Sequence, residues 1–187
     1  MATPRMLTIR EMEAGLDLIR RSPQGTGRVE MIVRRPQIGA REVITEATLD
    51  THVGLVGDNW LARGYRRTAD GSAHPDMQLT LMNARAIALV AQTKDRWALA
   101  GDQLFVDFDL SDAHIPPGTQ LRIGTALVEV TAEPHTGCRQ FAARFGKDAV
   151  KFVNSPIGKH LHLRGINAKI IRSGRFCLGD TISKTDS

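Results

Sequence analysis

The 187-residue chain is 42% hydrophobic and 24% charged, ordinary for a single globular domain, and no run approaches the roughly 20 apolar residues of a membrane span. A formal net charge of +5 and a pI near 9.7 favour acidic partners, but aromatics are only 5% of the chain and no basic stretch is interleaved with them, which argues against nucleic acid. The segment Met1–Leu7 lacks a basic region followed by an apolar run, so no export signal is expected and the expected location is cytoplasmic. In that reducing setting the two cysteines, Cys138 and Cys177, are read as free thiols.

Leu7, Met12, Leu16 and Ile19 share one helical face until Ser22-Pro23-Gln24-Gly25 stops the pattern, so a short amphipathic helix over a sheet is predicted. Arg28 to Val33 reads as a strand that ends before Pro36. Val43-Ile44 opens an ambiguous segment leading to Gly54-Leu55-Val56-Gly57-Asp58-Asn59-Trp60, a loop anchored by its tryptophan. Residues 61–75 are polar and rich in Arg, Gly and Ser, as in a long surface loop. Gln78 to Met82 reads as a strand, and Asn83 caps a helix whose Ala86, Ile87 and Val90 face the core and which fades near Lys94. Leu104 to Leu110 alternates as a strand. Pro116-Pro117-Gly118 turns into a hairpin of 120–123 and 126–131. Residues 137–153 look helical in two pieces joined near Gly146-Lys147-Asp148, and 166–171 and 179–182 supply the closing strands. Many short strands with a few helices give a mainly β fold with peripheral helices (α+β), a closed or nearly closed β-barrel, in one domain over 1–187.

Cys138 follows a strand by a Pro134-His135-Thr136-Gly137 connection and precedes a helical stretch, with Arg139 and Arg144 nearby. That setting suits a thiolate, which is both a nucleophile and a soft ligand for thiophilic metals; the alternative is a small buried hydrophobe. Cys177, in Arg175-Phe176-Cys177-Leu178 beside a turn, lacks such a setting and reads as structural. The histidines 52, 74, 114, 135, 160 and 162 lack the paired spacing of a zinc site. His160 and His162 alternate around Leu161, so they would share one face of a strand, solvated or ligand-bearing. His135, in the same turn as Cys138, would tune the thiol or contact an anion. Asp58, Asp102, Asp112 and Asp180 sit near turns and are expected to cap backbone amides. Arg63, Arg66 and Arg67 form a basic cluster suited to phosphate or carboxylate, or simply to solvent. Phosphate-binding, nucleophile-elbow and dinucleotide fingerprints are absent from the sequence.

In order along the chain stand Gly54-Leu55-Val56-Gly57-Asp58, Pro117-Gly118-Thr119-Gln120-Leu121-Arg122-Ile123-Gly124, Gly137-Cys138, Arg164-Gly165-Ile166, and Ser173-Gly174 followed by Gly179-Asp180. This ordered set resembles the MOSC domain, named for the C-terminal domain of molybdenum cofactor sulfurase, in its stand-alone bacterial form. The similarity covers about 28–183, leaving 1–27 as an N-terminal helical extension. The resemblance implies a β-barrel whose single family cysteine, matched by Cys138, serves as the catalytic residue and ligates the molybdenum of a pterin cofactor (molybdopterin). His135, Thr136, Gly137, Arg139, Arg144, Arg164 and the loop arginines are then candidates to hold the cofactor. It implies an oxidoreductase that reduces N-hydroxylated or related small-molecule substrates with an electron-donor partner, or a sulfur carrier holding a persulfide on Cys138 with a cysteine desulfurase as partner. A non-catalytic binding module is a further alternative. No pyridoxal phosphate is expected, because the sulfurase domain that uses it is far longer than this chain. Relatives often carry Arg-Asn or Glu-Asn where this chain has Asp102-Gln103, and often Pro where it has Gly137.

Overall fold

Several strands carry apolar side chains on both faces, and this decides the architecture: such a sheet must bury one face inside itself and the other under helices. The computed structural model describes residues 5–185; residues 1–4, part of the stretch read for an export signal, lie outside them. In chain order come α1 (Ile9–Glu13), α2 (Leu16–Arg20), β1 (Thr26–Arg34), β2 (Glu42–Ile44), β3 (Glu46–Asp50), β4 (Gly54–Leu55), α3 (Trp60–Arg63), β5 (Leu79–Asn83) and α4 (Ala84–Ala91). They are followed by β6 (Leu104–Asp107), β7 (Gln120–Ile123), β8 (Ala126–Val130), α5 (Arg139–Phe145), α6 (Lys147–Asn154), α7 (Pro156–His160), β9 (Ile166–Arg172), β10 (Gly174–Cys177) and β11 (Thr181–Lys184).

The main sheet runs β11-β7-β8-β9-β5-β6-β1-β2, and the additional pairing of β11 with β1 closes seven of these strands into a barrel. Pairing is antiparallel except between β5 and β6, whose parallel register is bridged by α4 and a 3-10 segment over Lys94–Ala100. A small sheet of order β10-β3-β4 packs against the barrel, sending Leu49 and Phe176 into its interior cluster. Along β1 and β6 the two faces separate: Val29, Ile32, Leu104 and Val106 point into that cluster, whereas Met31, Val33 and Phe105 belong to an outer one. The outer cluster is completed by Met12, Leu16 and Ile19, by Ile87 and Val90, and by Phe141, Phe145, Phe152 and Val153. Helices α5 and α6 are thereby fixed to the barrel wall. Among the described residues no helix is long and apolar enough to cross a membrane.

Several expectations are corrected. The first helix is two short ones, because α1 is started by a capping box of Thr8 and Glu11 and stops at Ala14, after which Gly15 begins α2. The segment after Pro36 is not one loop; it forms β2, β3 and β4, although Trp60 is the buried anchor expected (5% exposed). The strand at Leu104 ends at Asp107, leaving Phe108 and Leu110 buried beyond it. His160 and His162 do not lie on a strand: His160 ends α7, and His162 follows in a left-handed conformation (φ 47°) with Nδ1 2.6 Å from the Leu110 carbonyl. Cys177 is exposed on β10 rather than packed in the core.

Candidate functional site

Strand β8 ends at Val130, and the chain crosses 131–137 to Cys138, which is the N-cap of α5 and exposed to solvent. The crossing is tied down by short-range chemistry. The Thr131 hydroxyl donates to the Asp76 carbonyl (2.7 Å), and the Asn167 amide donates to the Glu133 carbonyl (3.1 Å). The side chain of Asn154, the last residue of α6, bonds both the N–H (2.8 Å) and the C=O (3.1 Å) of Gly137. His74 Nε2, at the end of the polar loop, stands 3.7 Å from Glu133.

Beside this crossing the turn before β6 gathers arginines. The consecutive carbonyls of Leu99, Ala100 and Gly101 accept from Arg144, Arg164 and Arg35 respectively. Gly101 adopts φ 92°, a conformation that favours glycine and that presents its carbonyl to Arg35. Asp102 is fully buried and binds Arg164 at 2.6 Å; the Arg164 guanidinium also lies over the Phe141 ring at 5.0 Å. Arg35 is held by Asp58 through two parallel contacts of 2.8 and 2.9 Å. Asp58 also accepts from the backbone of Arg35 and Trp60, so the capping role expected of it is met. The capping role expected of Asp102 is not: it is one half of a buried ion pair.

With both acids engaged, Arg41, Arg63 and Arg144 make no ion pair among the described residues, and Asp58 only partly offsets the field at Arg41 and Arg63. Arg41 is pushed down from the ordinary arginine range by burial and then by Arg144 and Arg35, with Arg63 adding to the same field, and its buried Nε has no hydrogen-bond partner. His135 is drawn well below the usual histidine range by burial first and then by Arg164 and Arg35; it is a neutral ring. Its Nε2 is 3.5 Å from Asp102 Oδ1, and its Nδ1 is buried without a partner. Burial pushes the Asp102 carboxyl up while Arg164 opposes that rise.

A cleft of about 420 Å³, a volume suited to a small organic molecule, opens next to these groups. His135, Asn154, Lys159, His162, Arg164 and Asn167 contribute its polar lining. Thr136 also lines it, but Cys138 does not, standing just past Gly137 on the exposed side.

The structure therefore brings His135 and Arg164 into one buried group and Arg144 to its edge, and leaves Arg139, Arg66 and Arg67 exposed. Arg35, Arg41, Asn154 and Asn167 escaped the sequence reading. Arg35, Asn154 and Asn167 have partners 17 or more residues away, as with Arg35 and Asp58 or Asn154 and Gly137, and Arg41, whose own hydrogen bond is to the adjacent Ala40 carbonyl, is marked only by the arginines that folding brings near it. Among the described residues no three His, Cys, Asp or Glu side chains gather as a metal cluster.

The closed seven-stranded barrel with its outer helices is the kind of fold that the MOSC resemblance implied, and solved structures share it. YuaD from Bacillus subtilis shares it with a TM-score of 0.64 at 15% identity, over 87% of this chain and 97% of that one. YiiM from Escherichia coli matches at 0.54 and 18% identity, over 86% of this chain and 70% of its own. YiiM from Geobacillus stearothermophilus matches at 0.57 and 13% identity, over 86% and 75%. Identities this low make the likeness one of fold. No protein-family model and no curated protein matches the chain.

Proposed function

We propose that the chain is a stand-alone MOSC-family protein that binds the molybdenum cofactor, with the Cys138 thiolate as the protein's ligand to the metal, and that reduces N-hydroxylated or related small molecules. The observation that carries this reading is the pairing of an exposed thiol with an unneutralised arginine group: Cys138 starts the helix that bears Arg144, and Arg144 stands with Arg41 and Arg63 where Asp58 and Asp102 are already taken by Arg35 and Arg164.

The residues fit an anionic pterin. The buried, unpartnered Nε of Arg41 is costly unless an acceptor arrives, and a phosphate oxygen is such an acceptor. Arg41, Arg144 and Arg63 would hold the phosphate, and Cys138 would supply the soft sulfur ligand. When bound, the group supplies two-electron redox chemistry at molybdenum. The chain's own part is to bind and orient: the cleft receives the small molecule, the neutral His135 adds no charge to it, and Asp102 keeps Arg164 in place. The reaction also needs an electron-donor partner.

Elemental analysis of protein made in a host that synthesises the cofactor tests this. Molybdenum should approach one atom per chain, be lost in Cys138→Ser and fall in Arg41→Ala; wild-type protein without molybdenum would sink the reading. The exposure of Cys138 favours a second reading, a sulfur carrier whose thiol is reachable by a desulfurase. Mass spectrometry without reductant would then find one added sulfur atom on Cys138.

A further inference from the structure

We propose that Asn154 is the positioning residue for Cys138, acting through a two-point clamp on the peptide that precedes the thiol. The inference rests on Cys138 being the working thiol, as in the reading above, and does not require molybdenum.

The carboxamide of Asn154 copies a neighbouring strand, accepting the Gly137 N–H at 2.8 Å and donating to the Gly137 carbonyl at 3.1 Å. The approach is close enough that a side chain at residue 137 would be crowded: a Cβ there would lie 2.9 Å from Val153 Cγ2, which would have to shift, and 3.3 and 3.4 Å from the Asn154 amide atoms. Proline at this position, common among the relatives the sequence resembles, would also remove the N–H that Asn154 accepts. Gly137 and Asn154 thus form one device.

Cys138 depends on that device. Its side chain makes no capping bond, its backbone is extended (φ −116°, ψ 179°), and on the helix side it is held by the Ala142 N–H to its carbonyl at 3.0 Å. On the other side the nearest hydrogen bond upstream of the clamp is that from Asn167 to Glu133, five residues before the thiol, with the His135 ring packed near Asp102 between them. The clamp's base is rigid, since Ala149, Phe152 and Val153 of α6 are buried in the outer cluster. Without it the peptide of Gly137 would pivot, and the thiol would lose its fixed place at the start of α5.

The test uses the full chain made in a host without the cofactor, with Cys177→Ser so that Cys138 is the thiol read. The rate of Cys138 alkylation by iodoacetamide should fall about threefold or more in Asn154→Ala, and by less in Asn154→Asp, which keeps the acceptor for Gly137 and loses the donor. A barrel-interior variant, Phe176→Leu, should lower Tm and leave the rate alone. A wild-type rate in Asn154→Ala, or equal slowing in Phe176→Leu, would overturn the proposal; if Asn154→Ala does not fold, a wild-type rate in Asn154→Asp does so. Because the readout is free of metal, protein that binds no molybdenum refutes the cofactor reading and leaves this inference to be judged on its own rates.

Discussion

At His135, burial and the guanidiniums of Arg164 and Arg35 all disfavour the proton, so the folded ring stays neutral well below the pH at which an unfolded histidine titrates. The sign follows by linkage. Below roughly pH 6.5 the unfolded chain binds a proton that the folded one refuses, so stability is lost as pH falls, by up to about 1.4 kcal/mol per pH unit. His114, also lowered by burial, adds a smaller loss in the same direction. Chemical denaturation at a series of pH values between about 5 and 7 should show this decline in wild type and a shallower one in His135→Gln. Asp102 sharpens the argument at the same scale. Replacing it by Ala strands the buried Arg164 charge and should cost about 3–5 kcal/mol, measured as the loss in unfolding free energy. In the sequence Asp102 reads as one more turn carboxylate. Its role depends on Arg164, 62 residues away, and no local pattern encodes such a partner.

At the scale of elements, Asn83 does more than the sequence reading asked of it. Its Oδ1 accepts from the Arg85 and Ala86 amides and caps α4, as expected, while its Nδ2 donates to the Ser22 hydroxyl and the Phe108 carbonyl, both at 2.8 Å. One buried amide thus joins the end of α2, the start of α4 and the end of β6. Asn83→Ala should therefore cost about 2–4 kcal/mol, the cap plus stranded partners. Asn83→Asp, which keeps the cap and loses the donors, should recover the cap's share in the same urea titration. This split also marks what was legible. The cap, the strands β5, β7 and β8 and the two-piece helix of α5 and α6 follow from local signals that tertiary contacts reinforce. Strands β2 to β4 and β10 were not legible, because their residues are short, partly polar runs that become strands only by pairing, as Phe176 does with Ala47. His160 and His162 carry a period of two, but Pro156 and the Ser155 cap start a helix there instead.

For the whole molecule, the barrel wall divides the apolar interior in two, and the thiol belongs to one side of it. Phe176 lies in the inner cluster under the small sheet, whereas Phe152 lies in the outer one on α6, two residues before Asn154. Truncating either to Ala removes a fully buried ring and should cost about 3–5 kcal/mol, or roughly 6–20 °C in Tm for a domain of this size. The consequences for the site should differ. In Phe152→Ala, α6 loses its seat, the Asn154 clamp loosens, and the Gly137 amide should exchange with solvent faster by more than the global loss of stability explains. Phe176→Ala should weaken protection inside the barrel and leave Gly137 changed only through global unfolding. Hydrogen exchange followed residue by residue under native conditions separates the two cases. Equal loss of Gly137 protection in both variants would mean that the wall does not partition the fold, and that the Cys138 loop answers to total stability rather than to the helices that carry it.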